Sequence, residues 1–401
     1  MSAEYWVWLQ QVLGYGNEAV ARVISNYGTA KDFYQAPDSE KIAKCRLSKQ
    51  QADRLHTIPR KVIYKIMDDA AKSGINIITP EDSLYPERLR NIPDPPAVLY
   101  VKGSRFDFNG LPAIAIVGPR KISHYGEKCA YTIANTLAAC GFCVVSGGAL
   151  GGDSSAHRGA IATGGYTIGV LGSGIESDYL KVNAELRENI AKNGCLISEY
   201  PPFVGVTRGS FPKRNRIMSG LSNGVVIVEG AKDSGTMITA RHAEEQGKDV
   251  FVIPGSPSLK QYEGSNQLIA DGAKPLLNIN DIIKEYVFLY PDKIHEPERC
   301  VAVDDKSVVI TTDVKADVRA KEASDYKLKN ENYLKTSKDI GILSDLAADV
   351  YKMLDKCGET FSADDVVEIS GFSVSDVLCA ITELEICSFI EAVVGGRYRL
   401  K

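Results

Sequence analysis

Between Pro112 and about Tyr290, apolar residues come in short continuous runs rather than in strict alternation. Ala113–Val117, Cys143–Ser146, Thr167–Leu171, Leu196–Ser198, Gly224–Val228 and Val250–Ile253 are such runs, rich in Val and Ile, as strands covered on both faces require. Between them the spacing lengthens to that of amphipathic helices. Gly141, Gly164, Gly194 and Gly247 stand where left-handed C-caps would stop four of those helices. Strand, turn and helix in repetition predict an α/β fold with a doubly wound, Rossmann-like, mostly parallel sheet. The preceding stretch, Lys65 to Arg105, holds the apolar run Ile75–Ile78 and then Pro93, Pro95 and Pro96, and reads as an extended lead-in. Residues 71–290 are therefore expected to form one extended domain.

The two ends of the chain carry a different period. Trp6, Leu9, Val12 and Leu13 recur at helical spacing, Gly14-Tyr15-Gly16-Asn17 interrupts them, and Ala19, Val20, Val23 and Ile24 resume. Residues 1–70 are expected to be a small helical N-terminal domain. Helix, Gly-x-Gly turn and helix is also the outline of sterile-alpha-motif and helix-hairpin-helix modules, although a plain packing domain is the favoured reading. Residues 291–338 are charged and aperiodic and read as a flexible linker. In 339–401, Ile340, Leu343, Leu346 and Val350 mark one helix. Ser362 with Asp365 starts a second, Gly371 ends it, and Ser373 with Asp376 starts a third. Phe389–Val394, Gly395-Gly396 and Arg397–Leu400 then form a hairpin, which completes a winged-helix domain. The third helix, Val374 to Cys387, carries Asp376, Glu383 and Glu385 without any Lys or Arg. A groove-reading helix needs cations, so protein contact or self-association is expected of this module.

Composition narrows the function classes. The 401 residues are 44% hydrophobic and carry a formal net charge of -4, enough apolar content for several cores and too acidic for general coating of nucleic acid. Local basic sites are still allowed. Nine cysteines lie mostly in apolar stretches, and the Cys140/Cys143 pair has no second pair or histidine cluster at metal-site spacing, which points to buried thiols in a reducing cytoplasm. Met1 to Gln10 lacks Lys and Arg and so lacks a secretory n-region. No apolar run reaches membrane-spanning length. A cytoplasmic protein with no membrane contact, no metal and no cofactor is expected.

The candidate chemistry sits in the turns after the predicted strands, where open parallel sheets hold ligands. The first turn, Gly118-Pro119-Arg120-Lys121-Ile122-Ser123, offers two cations and the amides of a helix start. The second, Ser146 to Asp153, contains Gly147, Gly148, Gly151 and Gly152, so its backbone can approach a ligand and its amides can form an anion nest. Asp153 can also cap the following helix, and His157 reads as a packed residue. Gly172-Ser173-Gly174 is followed by Asp178 to Asn183, with Lys181 just before a helix. Phe211-Pro212-Lys213-Arg214-Asn215-Arg216 packs three cations beside an aromatic ring. Cations neutralise phosphates while rings stack on bases, which makes this the segment most suited to a single strand. Helical phase puts Arg214 and Arg216 on different faces, so Arg214 and Phe211 are expected to touch the ligand and Arg216 to pair with Glu199 or Glu229. The last turns are Asp233-Ser234-Gly235-Thr236, opening a helix that carries Arg241, and Pro254-Gly255-Ser256. Dinucleotide and P-loop signatures are missing, and the G-x-S-x-G at Gly220–Gly224 leads into a strand rather than out of one.

In their order these turns resemble the DNA-processing protein A (DprA, or Smf) family. The likeness runs from Gly118-x-Arg120, through Ser146-Gly147, Leu171-Gly172-x-Gly174 and Glu199-Tyr200-Pro201, to Phe211-Pro212-x-Arg214-Asn215-Arg216, Val228-Glu229, Ser234-Gly235 and Thr239-Ala240-Arg241. The resemblance implies a Rossmann-like domain that binds single-stranded DNA in a basic pocket, forms a homodimer and helps load the RecA recombinase in natural transformation, without catalysis. The DNA contacts it implies are Gly118, Arg120, Lys121 and Ser123; Gly147, Gly148 and Gly151; Lys181; Phe211, Lys213, Arg214 and Asn215; and Ser234, Gly235, Thr236 and Arg241. Pro119, Leu150 and Leu180 depart from the usual pattern, the last two standing for Arg and Pro. The alternative is a nucleotide-processing enzyme of the lysine-decarboxylase-like phosphoribohydrolase group, whose P-G-G-x-G-T turn and following Glu are not matched at Lys232 to Arg241.

Overall fold

A computed structural model describes residues 3–179, 181–207, 209–295, 345–354, 360–374, 376–377, 380–381, 384, 389–393 and 397–400. They fall in two compact units, Met1–Thr311 and Thr312–Lys401.

The first unit is built on a nine-stranded sheet in the order β1-β2-β6-β5-β4-β3-β7-β8-β9. Six strands coincide with the apolar runs: β3 (Ala113–Val117), β4 (Cys143–Ser146), β5 (Thr167–Leu171), β6 (Gly194–Ser198), β7 (Gly224–Ile227) and β8 (Asp249–Val252). All their mutual pairings are parallel. The rims correct the expected lead-in. Asn76–Ile78 is β1 and Leu99–Gly103 is β2; they pair antiparallel with each other, and β2 pairs antiparallel with β6, with Tyr100 opposite Ser198. At the other rim Lys274–Pro275 is β9, parallel to β8.

The chain winds β3, β4, β5, β6 to one side and then returns to place β7 against the free edge of β3. The strand order reverses there, so the carboxyl ends of β3 and β7 open a crevice. Helices close both faces. Ile114 and Ile116 of β3 point at Cys129, Ile133 and Leu137 of one helix (His124–Ala139) and share that cluster with Ala156 and Ala160 of the next (Gly152–Ala162). Ala113, Ala115 and Val117 point the other way, toward Ile217, Met218 and Leu221 of Ser210–Leu221 and Ala240 and Ala243 of Gly235–Glu245. Six helices between Ala3 and Lys72 precede the sheet, and Trp6, Leu9 and Val12 of the first share a core with Tyr100, Leu171 and Leu196.

Gly141, Gly164 and Gly247 follow their helices at positive φ (+94°, +67° and +65°). Gly194 does not: it is extended and opens β6, where a side chain would overlap the Thr167 carbonyl. Among the described residues, no helix is long and apolar enough to cross a membrane.

In the second unit, helices Asp345–Leu354 and Ala363–Ser370 pack with the hairpin Ile390–Val393/Arg397–Leu400 around Val350, Leu354, Phe361, Val366 and Phe389. Ser362 and Asp365 form a reciprocal capping box, in which the Ser362 N–H donates to the carboxylate (2.8 Å) and the Asp365 N–H donates to the hydroxyl (3.2 Å). Gly371 caps the helix end at φ +71°. Val374, Asp376, Val377, Ala380, Ile381 and Leu384 are helical, in keeping with a third helix. The rest of that helix, including Glu383 and Glu385, and the Gly395-Gly396 turn lie outside the described residues, as does the expected linker 291–338 beyond its first five residues. Within those five, Ile294 is buried in the core of the first unit and His295 N–H donates to the Cys140 carbonyl (3.0 Å).

Candidate nucleic-acid interface

A cleft of about 340 Å³ lies at the switch point. The loop after β3 gives Gly118, Pro119 and Arg120; the glycine loop after β4 gives Ala149 and Asp153; the helix Ser210–Leu221 gives Phe211, Arg214, Asn215 and Met218; and the start of Gly235–Glu245 gives Gly235, Thr236 and Thr239, with Ser234 beside it. Four separate segments of the chain meet only through the sheet.

The mouth of the cleft is aromatic and cationic. Phe211 is half-buried, because its ring packs over Gly172, where a side chain would displace it. The exposed Arg120 guanidinium lies over that ring, 4.7 Å from its centroid, and the Tyr179 ring lies 5.4 Å away at a tilt of 50°. A planar cation on an aromatic face keeps its rim N–H groups free for phosphate while presenting a flat surface to a base.

Phe211 and its neighbours are placed by helix geometry. Pro212 falls in the first turn, where the backbone N–H has no intrahelical partner, so it begins the helix instead of breaking it. Two residues span about 200° of an α-helix, and Arg214 and Arg216 go to opposite places. Arg214 is buried in the floor of the cleft, where its Nη1 donates to the carbonyl of Gly147 (2.6 Å) and to that of Val170. Gly147 must be glycine: a side chain there would overlap both Arg214 and Asp153. Burial pushes the Arg214 pKa below that of free arginine, and burial raises that of Asp153, a shift opposed by the arginine's charge.

Arg216 points to the far side and is fully buried. Its Nη2 donates to both oxygens of Glu199 (2.7 and 2.8 Å) and its Nε lies 2.9 Å from Asp94 Oδ2. The Gly16 N–H donates to the same Glu199 carboxylate (3.2 Å), Lys213 Nζ donates to the Tyr15 carbonyl (2.9 Å), and Tyr15 packs on Tyr200 with ring centroids 4.5 Å apart. The Gly14-Tyr15-Gly16 turn is thus docked against the base of the site, which accounts for it as a packing element. Glu229, the other candidate partner for Arg216, is used elsewhere. It accepts from the hydroxyl of Tyr262 (2.9 Å) and from the backbone N–H (3.2 Å) and hydroxyl of Ser123, and so fixes the loop that carries Arg120.

This cleft coincides with a segment that has known relatives. The family model described as DNA recombination-mediator protein A matches residues 76–287, just over half of the chain. The chain belongs to that family. Protein Smf of Escherichia coli (strain K12) is 30% identical over 403 residues, covering 100% of this chain and 96% of the relative. DNA processing protein DprA of Bacillus subtilis (strain 168) is 40% identical over 214 residues, 53% of this chain and 72% of the relative. The X-ray structure of DNA processing protein A from Streptococcus pneumoniae is 30% identical, covers 71% of this chain and 98% of its own, and superposes with a TM-score of 0.63.

Within this recombination-mediator fold, the expected contact residues separate into groups. Gly118, Arg120, Phe211, Arg214, Asn215, Ser234, Gly235 and Thr236 line the cleft. Arg214 moves from its expected place at the surface to the floor, because two main-chain carbonyls hold its Nη1, while its Nε is buried without a hydrogen-bond partner. The glycines of the second turn are also reassigned. Gly151 (φ +76°) and Gly152 press on Pro119 and Gly118, where side chains would overlap backbone, so their bareness serves loop-on-loop packing. Asp153 is not a helix cap; the N-cap position is Gly151, and the Asp153 carboxylate accepts from Ala149 N–H (3.4 Å). Lys121 is exposed beside the cleft, and Ser123 caps its helix by accepting from Gly126 N–H (3.0 Å).

Lys213 turns to Tyr15, Arg241 is exposed outside the cleft lining, and Lys181 pairs with Asp178 at 2.9 Å in a neighbouring cleft. Leu180, the family departure before it, lies outside the described residues. His157 is buried on Thr167 (2.8 Å), and burial, with the Arg214 charge second, pushes its pKa down to about 3, so it packs as a neutral ring. Cys140 and Cys143 are both buried. Asp94 escaped the sequence reading, since nothing in a proline-rich stretch signals a partner for an arginine more than a hundred residues away.

Proposed function

We propose that this chain is a single-stranded-DNA-binding protein of recombination, holding the strand in the switch-point cleft without catalysing a reaction. The observation that carries the reading is the exposed Arg120 guanidinium lying on the Phe211 ring at the mouth of a cleft floored by Arg214. Bases are available to a ring only where they are unpaired, so such a mouth selects single strands, and cations and rings together give affinity that tolerates any sequence. Membership of the DNA recombination-mediator protein A family supports the same reading. Two partners belong to it: a second copy of this chain, and the RecA recombinase, to which the bound strand is passed during transformation or recombination. The acidic face expected on the terminal module suits it to protein contact.

Fluorescence anisotropy with single- and double-stranded oligonucleotides across a salt series tests the reading. The single strand is expected to bind more tightly than the duplex. Arg120→Ala should lower the steepness of log K against log[salt] by about 0.7, the contribution of one phosphate contact on a single strand. Equal affinity for duplex, or a slope that Arg120→Ala leaves unchanged, overturns it.

A further inference from the structure

A second cleft of about 260 Å³ adjoins the first and is lined by Lys102, Glu176, Asp178, Tyr179, Lys181 and Arg187. Two of its cations are already matched: Lys102 with Glu176 at 2.7 Å, and Lys181 with Asp178 at 2.9 Å. Arg187, on the helix Ala184–Asn193, has no ion-pair partner among the described residues; Glu188 beside it stands exposed to water. The Arg187 Nε is buried without a hydrogen-bond partner. Buried donors are nearly always satisfied, and an unmatched half-buried cation at a cleft wall costs free energy that an anion would recover. Burial also pushes the Arg187 pKa down, in keeping with a guanidinium short of compensating contacts. Tyr179 joins the two clefts, for it lines the second while its ring stands 5.4 Å from Phe211 at the mouth of the first.

We infer that the second cleft is a continuation of the DNA track, in which Arg187 takes a backbone phosphate and Tyr179 supports the base between the two clefts. This rests on the reading of the first cleft as a single-strand site. It makes the bound strand longer than the first cleft alone could hold, and it places the extension on the β6 side of the sheet, next to β2, which carries Lys102.

Oligothymidylates of increasing length, titrated against the full chain and its Arg187→Gln and Arg187→Lys variants, test the inference. The shortest strands that bind should show equal affinity for wild type and Arg187→Gln. Longer strands should lose roughly five- to tenfold in Arg187→Gln, with the salt slope lower by about 0.7 for those strands only. Arg187→Lys should restore the slope, which a purely structural arginine would not do. A loss that is the same at every length, or absent at every length, overturns the inference while leaving the first cleft intact. If Arg187→Gln changes only the inhibition of binding by inorganic phosphate, the subsite serves a free anion and the track does not run through it. If the wild type binds no single strand of any length, the reading of the first cleft fails and the inference falls with it.

Discussion

Arg216→Met is expected to lower the free energy of unfolding of the first unit by about 3–5 kcal/mol, the usual cost of removing one partner from a buried ion pair. Arg216 is 1% exposed and serves Glu199, which is 3% exposed, and Asp94. Methionine fills much of the volume but leaves the Glu199 carboxylate with only the Gly16 N–H among these contacts. The Asp94 pKa is already raised by burial, with Arg216 opposing that rise. Without the guanidinium it should rise further. A group whose folded pKa lies above its unfolded one favours the fold at low pH and disfavours it as pH climbs through the folded value. The variant's deficit should therefore grow from acid toward neutral pH. Urea unfolding followed at pH 4.5 and pH 7 checks both points. A loss under about 1 kcal/mol at pH 7 would show that the buried network contributes little. Because Lys213 and Glu199 also hold the Gly14-Tyr15-Gly16 turn, protease protection of the N-terminal helices should fall in the same variant.

The second large effect is on binding. Phe211→Ala should weaken single-strand affinity by about 1–3 kcal/mol, roughly 5- to 150-fold, as one base loses its stacking partner. The salt slope should change little, because no phosphate contact is removed. That separates it from Arg120→Ala, where the slope is the expected readout. Phe211 is only half-buried and packs over a glycine, so the fold should survive the change with a small loss of stability. Equal affinity for wild type and Phe211→Ala would remove the ring from the interface.

The sheet's centre was readable because strands β3 to β8 are covered on both faces and so are written as unbroken Val and Ile runs. Its rims were not. The three residues of β1 and two of β9 are too short to show a period, and β2 ends in Lys102-Gly103 after a proline cluster. Caps were readable where their chemistry is local: Ser362 with Asp365, and Gly371, are set by residues within a few positions. The site was legible as a set of turns and not as a set of distances. Helical phase sufficed to send Arg214 and Arg216 apart, but it could not say that Arg214 would go down into the floor, since the carbonyls that hold it belong to Gly147, in the loop after β4, and to Val170 of β5. Glycine-rich turns suggest an approach by some ligand. In Gly118, Gly151 and Gly152 the approaching object is a neighbouring loop, and only assembled backbones reveal that. Lys181 and Lys213 were assigned to the site by charge and by the family resemblance, and neither signal shows that each has a nearer oxygen, on Asp178 and on Tyr15.

Photocrosslinking tests the location of the strand most directly. A single strand carrying 5-iododeoxyuridine at one position after another, irradiated on the full chain and followed by peptide mass spectrometry, reports which aromatic side chains touch bases. Crosslinks are expected at Phe211 and Tyr179, the two rings at the mouth of the switch-point cleft. Crosslinks confined to the N-terminal helices or to the terminal module, with none at Phe211 or Tyr179 for any label position, would contradict the assignment of the cleft as the DNA site.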